Sequence, residues 1–130
     1  MNKEDERLYM EMQLISQQIM QIQEHLQLMN QELNEINLLS ESLNELNNKK
    51  GNVEALIPLG GGIYTKGVIE NTKKVVASVG GRIAVEKSIE DSKKIVDDQS
   101  RIIIENMENM EENLNNLAAQ AQLLQHKIQK

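Results

Sequence analysis

The chain has 130 residues and a formal net charge of −6, with no cysteine and only two aromatic residues, both tyrosine. This length suits one domain, and the lack of cysteine excludes disulfides, thiolate metal sites and cysteine nucleophiles. The scarcity of large aromatic side chains argues against a compact globular core, and the acidic balance gives no electrostatic support to nucleic-acid binding.

No part of the sequence has the pattern of a targeting or membrane segment. No apolar run reaches the roughly 20 residues that a membrane-spanning helix needs. The first seven residues are mostly charged, unlike a secretory signal. We therefore expect a cytoplasmic protein that does not bind membranes.

Glycine and proline divide the chain into three segments. All seven glycines and the only proline lie between Gly51 and Gly81, and neither residue interrupts the flanks. We predict one domain with a first helix over residues 3–50, strands over 53–87 and a second helix over 88–130. Each helix would be roughly 65 Å long.

The first helix has the pattern of a coiled coil. Its apolar residues recur at alternating steps of four and three, which is the 3.5-residue period of a coiled-coil seam. It should end at Lys49-Lys50-Gly51, where cations face the negative helix end and glycine can cap it. The seam positions are Leu8, Met12, Ile15, Ile19, Ile22, Leu26, Met29, Leu33, Ile36, Ser40 and Leu43.

The middle segment predicts two β-hairpins. Short β-branched runs over 55–59, 63–69, 74–79 and 82–87 are typical of strands, and the glycine clusters at 60–62 and 80–81 supply the turns. Val75, Ala77 and Val79 alternate with Val76 and Ser78, as in a half-buried strand, and Ile83 and Val85 alternate with Ala84. The first glycine cluster lacks the Gly-Lys-Ser/Thr order of a phosphate-binding loop.

Two such hairpins need further chains. Without a covering layer they are marginal in water, and their edges are open to pairing. The helices cannot cover them, because they use their apolar stripes on each other. We therefore predict an oligomeric sheet or barrel that carries projecting helical arms, with assembly residues Leu56, Ile57, Leu59, Ile63, Val68, Ile69, Val75, Val76, Val79, Ile83 and Val85.

The second helix should begin at a capping box, Ser88 with Asp91, and continue the same period. Of the 23 seam positions in both helices, 20 are apolar. An antiparallel pairing in which facing seam residues have numbers adding to 136 sets Leu8 opposite Ile128 and brings both termini to one free end. The seam positions of the second helix are Ile89, Lys93, Val96, Ser100, Ile103, Met107, Met110, Leu114, Leu117, Ala121, Leu124 and Ile128.

The predicted fold is therefore α+β: a long antiparallel coiled-coil hairpin whose helices are joined by two β-hairpins, which assemble into an intersubunit barrel. The three polar seam residues, Ser40, Lys93 and Ser100, fall in the half nearest the strands. They are either tolerated imperfections or a sign that the helices splay there.

No residues form a pattern typical of catalysis. His25 and His126 are too far apart in the predicted pairing to share a metal ion, and paired carboxylates sit on exposed helix with no cleft to shift their pKa. We expect no enzyme activity, no metal and no cofactor.

The free end of the helical hairpin is the candidate binding surface. Tyr9, Met10, Leu14 and Leu123 are apolar but lie off the seam. Helix ends fray, so the seam residues Leu8, Met12, Leu124 and Ile128 would be uncovered intermittently. Methionine is flexible and suits varied apolar partners, although scattered surface apolar residues are also common.

The order helix, two hairpins, helix resembles the alpha-type subunit of prefoldin. The specific likeness lies in Leu56-Ile57-Pro58-Leu59-Gly60-Gly61-Gly62 and in the run from Val76 to Lys87, Val-Ala-Ser-Val-Gly-Gly-Arg-Ile-Ala-Val-Glu-Lys. The likeness covers nearly the whole chain. Two hairpins rather than one favour the alpha type over the beta type.

The resemblance implies a cytosolic, archaeal-like, ATP-independent holdase. In that family two alpha and four beta subunits join their hairpins into a double barrel, from which six coiled coils hang. Their tips bind unfolded proteins, which then pass to a group II chaperonin. The alternatives are a structural oligomeric coiled-coil scaffold or tether without chaperone activity and, more remotely, an enzyme that needs a partner chain.

Overall fold

A computed structural model of the chain describes residues 2–129. Along the chain, two long helices flank four strands. The order is α1 (Lys3–Asn48), β1 (Val53–Gly60), β2 (Ile63–Ile69), β3 (Lys74–Gly80), β4 (Ile83–Ser88) and α2 (Ile89–Gln129). The predicted element order and fold class are confirmed. Helix α1 ends two residues before its predicted end, and β1 begins two residues before its predicted start.

Side-chain caps begin both helices. The Asn2 Oδ1 accepts a hydrogen bond from the Asp5 N–H at 2.8 Å, and acidic residues fill the first turn of α1. At the start of α2 the predicted cap is present, because the Ser88 Oγ accepts a hydrogen bond from the Asp91 N–H at 3.1 Å. The Ser92 hydroxyl donates to the Ser88 carbonyl oxygen at 2.9 Å.

The end of α1 differs from the prediction. Its last turn contains no basic residue, since Lys49 and Lys50 lie beyond Asn48. The Lys49 N–H donates to the Leu46 carbonyl oxygen at 3.2 Å, and Gly51 takes the left-handed conformation expected of a capping glycine, with a φ of 73°. The cation at this helix end is instead Lys73, which reaches it from the loop between β2 and β3.

The chain divides into two compact units, one containing residues up to 34 and from 101 onward, the other residues 35–100. In the first unit the predicted seam residues are buried or half-buried, while the residues between them from 6 to 34 and from 101 to 127 are exposed. Ile15 lines one groove with Leu124, and Ile22 lines another with Leu117. The numbers in both pairs add to 139, so they support an antiparallel pairing of the two helices. The predicted sum of 136, which sets Ile15 opposite Ala121, stays a prediction.

The second unit has its core where the two helices meet the strands. Leu43, Ile89 and Val96 are buried, and Ile89 is only 1% exposed. Around this cluster pack the half-buried side chains of Ile36, Leu46 and Val75. The polar seam residues Ser40, Lys93 and Ser100 are also half-buried beside these core positions. Their burial favours a tolerated imperfection over splayed helices.

The two hairpins share one construction. Strand β1 pairs antiparallel with β2 and β3 with β4, in separate two-stranded sheets. Each ladder has one bulge just before its turn, at Leu59 and at Val79. Both central turn residues have positive φ, at Gly61-Gly62 and at Gly81-Arg82. This pattern is typical of the type I′ turn, whose twist matches that of the flanking strands.

In the single chain the strands are partly buried only near the helices. Val75 and Ala77 are half-buried as expected, but Val79, Ile83 and Val85 are exposed. The core cluster includes β3 through Val75 at its start, while Val79, Ile83 and Val85, nearer the turn, are 39–60% exposed in the single chain. All three are predicted assembly residues, so their burial stays a prediction for the assembly.

Candidate interaction surfaces

The hairpins present a large uncovered apolar surface, here called the strand surface. Nine of the eleven predicted assembly residues are exposed, and only Ile69 and Val75 are half-buried. So many exposed apolar side chains on two short hairpins indicate a site of protein interaction. The exposed members are Leu56, Ile57, Leu59, Ile63, Val68, Val76, Val79, Ile83 and Val85.

Tyr64 belongs to the strand surface but was not predicted. It lies on β2 opposite Pro58 and is 57% exposed. Aromatic side chains are enriched in protein interfaces, because they bury a large area while their hydroxyl group keeps a partner. The signal was present in the sequence, since Tyr64 directly follows the predicted turn and Ile63.

Strand β3 borders a groove of about 550 Å³. Four consecutive β3 residues, 75–78, line it, although successive side chains of a strand point to opposite faces. Lys87 of β4, which pairs with Val75, also lines the groove. The opposite wall is apolar and comes from the helices, chiefly Leu39, Ile95 and Val96.

The second candidate surface is the free-end surface, defined by the eight predicted binding residues. Tyr9, Met10, Leu14 and Leu123 are exposed, and Met10 is 66% exposed. Met10 and Leu14 line one shallow groove, and Leu123 and Leu124 line another with Ile15. The seam members are covered in this structure: Leu8, Met12 and Ile128 are half-buried, and Leu124 is buried.

Sequence reasoning missed further exposed apolar residues along both helices. All lie off the seam, which is the signal that could have identified them. They do not cluster at the free end. These residues are Met20, Leu28, Leu38, Leu39, Ile95, Ile102 and Ile104.

Metal sites and membrane-spanning helices were also considered. Within residues 2–129, no three histidine, aspartate or glutamate side chains are placed to hold a metal ion together. No helix in this part of the chain is both long enough and apolar enough to cross a membrane. His25 and His126 are both exposed.

Comparison with known proteins identifies the family. The model of the prefoldin subunit family matches residues 15–130. The chain belongs to the prefoldin family. It is 35% identical over 90 residues to prefoldin subunit alpha 1 of Thermococcus kodakarensis, covering 69% of this chain and 62% of that protein.

Two further relatives are also alpha subunits of prefoldin. Prefoldin subunit alpha of Methanobrevibacter smithii is 34% identical over 82 residues, covering 58% of this chain and 56% of that protein. Prefoldin subunit alpha of Methanococcus maripaludis is 33% identical over 116 residues, covering 89% and 76%. The chain thus matches less than two thirds of the length of the first two relatives. The predicted resemblance to an archaeal alpha-type subunit is confirmed.

A solved structure confirms the prefoldin fold. Filamentous PFD from Methanocaldococcus jannaschii superposes with a TM-score of 0.75 at 20% identity, covering 88% of this chain and 95% of that one. The relatives are named as subunits, and this solved structure is itself an assembly. Prefoldin is thus a multi-subunit complex.

Proposed function

We propose that this chain is the alpha-type subunit of an ATP-independent prefoldin holdase in the cytoplasm. It assembles through the strand surface and holds unfolded proteins at the free-end surface. The observation that carries the proposal is the uncovered apolar surface of both hairpins in a chain of the prefoldin family.

Assembly follows from what the hairpins lack. Each sheet has only two strands, and full burial of one exposed Val, Leu or Ile side chain is worth about 1.5–3 kcal/mol. A strand from another subunit on the open edge of β3 would pair its backbone and cover the apolar groove below. Family resemblance supplies the partners: beta-type subunits, in a complex of two alpha and four beta chains.

Holding of unfolded proteins is assigned to the free-end surface. Apart from Tyr9, its exposed side chains are leucine and methionine. Flexible side chains such as methionine can adapt to unfolded apolar segments of different shapes. Each arm would bind weakly, but several arms on one flexible chain can raise the affinity by roughly 10²–10⁴. Release to a group II chaperonin would then need no nucleotide.

The test compares two quadruple variants of the full chain in its assembly. Replacing Tyr9, Met10, Leu14 and Leu123 with serine should abolish suppression of aggregation of an unfolded client, while the mass of the complex stays unchanged. The control replaces four equally exposed apolar residues away from the free end, Met20, Leu28, Leu38 and Ile102. Equal activity of both variants would contradict the free-end assignment. An inactive wild-type complex would favour the scaffold alternative.

A further inference from the structure

The loop between the two hairpins contacts the ends of both long helices. Residues 70–73 link β2 to β3, and they also meet the last turn of α1 and the first residue of α2. These helix ends are far apart in the chain, one at Asn48 and the other at Ile89. All the groups involved lie within the unit of residues 35–100.

The end of α1 receives two donors from this loop. The last four carbonyl groups of a helix have no partner within the helix. The Lys73 Nζ donates to the carbonyl oxygen of Asn47 and, at 3.1 Å, to the Asn47 Oδ1. The Thr72 hydroxyl donates to the Lys49 carbonyl oxygen at 2.9 Å. Because the last turn of α1 has no basic residue, Lys73 supplies the positive charge that a helix C-terminus favours.

The same loop residue holds the start of α2. The Ile89 N–H donates to the Lys73 carbonyl oxygen at 2.9 Å. The Ile89 side chain is the most buried of the core cluster with Leu43 and Val96. Lys73 thus touches α1 through its side chain and α2 through its backbone. The Asn71 Oδ1 accepts a hydrogen bond from the Lys73 N–H at 2.9 Å and fixes the backbone between them.

We infer that Thr72 and Lys73 form a joint that couples the end of α1 to the start of α2. Lys73 contacts both helix ends, and Thr72, which is buried, contacts the end of α1 through its hydroxyl group. The joint makes the two helix ends and β3 move together. A displacement of α1 would pull the Lys73 backbone away from Ile89 and weaken the hydrogen bond between them. This role is independent of client binding.

Hydrogen exchange of the full chain in its assembly tests the joint. Lys73→Met should speed exchange of the Asn47, Asn48 and Ile89 amides roughly 5–10-fold, the effect of losing one ordinary, solvent-exposed hydrogen bond. The matched control is Lys74→Met, the same change at the adjacent exposed lysine. Lys73→Arg, which keeps charge and donors, should restore most of the protection.

The Ile89 amide decides the outcome. Its acceptor is the Lys73 backbone, which the substitution leaves in place. If Lys73→Met changes only Asn47 and Asn48, the lysine is a local cap and the joint is refuted. Equal exchange in Lys73→Met and Lys74→Met would refute both roles. Thr72→Val should repeat the effect on Ile89, and Thr72→Ser, which keeps the hydroxyl, should not.

Discussion

At the residue scale, the two hairpin turns share a backbone conformation but differ in one residue. Position 62 is glycine with a φ of 80°, whereas the corresponding position of the second turn is Arg82 with a φ of 63°. Arg82 is the one non-glycine residue with positive φ among residues 2–129. A side chain in this conformation crowds the following carbonyl oxygen, which costs roughly 1–2 kcal/mol.

This difference predicts opposite effects at the two turns. Arg82→Gly should raise the free energy of unfolding by about 0.5–1 kcal/mol, part of the relieved strain being offset by the greater freedom of glycine in the unfolded chain. Gly62→Ala should lower it by about 1 kcal/mol. Urea unfolding of the purified assembly measures both. A stabilising Gly62→Ala would contradict the assigned turn geometry.

Gly67 shows a close contact that sequence reasoning could not predict. It lies inside β2, where glycine is a weak strand former. A Cβ atom there would overlap the end of the Ile57 side chain across the sheet. The glycine therefore makes room for a member of the strand surface. Nothing in the local sequence indicates this neighbour, because the contact depends on the β1–β2 register.

At the element scale, the α2 cap can be tested by itself. Ser88→Ala removes the acceptor of the Asp91 N–H and should lower stability by about 1 kcal/mol. Ser42→Ala is the matched control, because Ser42 is exposed within α1, away from either cap, and alanine is the better helix former. Thermal unfolding followed by circular dichroism compares them. Equal melting temperatures would show that the cap contributes nothing measurable.

Helices and strands differ in how far the sequence determined them. The seam could be predicted position by position, because its period depends only on residues within the same helix. The end of α1 could not, since its cation comes from Lys73, 25 residues beyond Asn48. The strands were predicted less completely, because the alternation at Val79, Ile83 and Val85 shows which residues share a face but not what covers it.

The candidate surfaces show the same limit. The exposed residues of the free-end surface were predicted from their off-seam positions, and the structure leaves them uncovered. Tyr64 and the groove beside β3 were not predicted, because they depend on how strands pair and where helices meet them.

At the scale of the whole molecule, the strand surface predicts that the chain depends on its partners. Val76 is 71% exposed and lies opposite Glu86 on the neighbouring strand. Val76→Lys should therefore leave the hairpin intact, since the new cation faces an acid. In the assembly the same charge would be buried against a partner subunit, which should weaken association at least tenfold.

Mass measurement of the co-expressed complex at decreasing concentration follows this change. The control is Ile102→Lys, at an apolar position on α2 that is 55% exposed. The control complex should dissociate at the same concentration as the wild type. If Val76→Lys does so too, β3 is not part of the subunit interface.

The two tyrosines provide one intrinsic fluorophore on each surface. The sequence contains no tryptophan, so its intrinsic emission comes from Tyr9 and Tyr64 alone. One lies on the free-end surface and the other on the strand surface. Replacing either with phenylalanine would leave a single fluorophore, so that capture of an unfolded protein and association of subunits could be followed separately without attaching a dye.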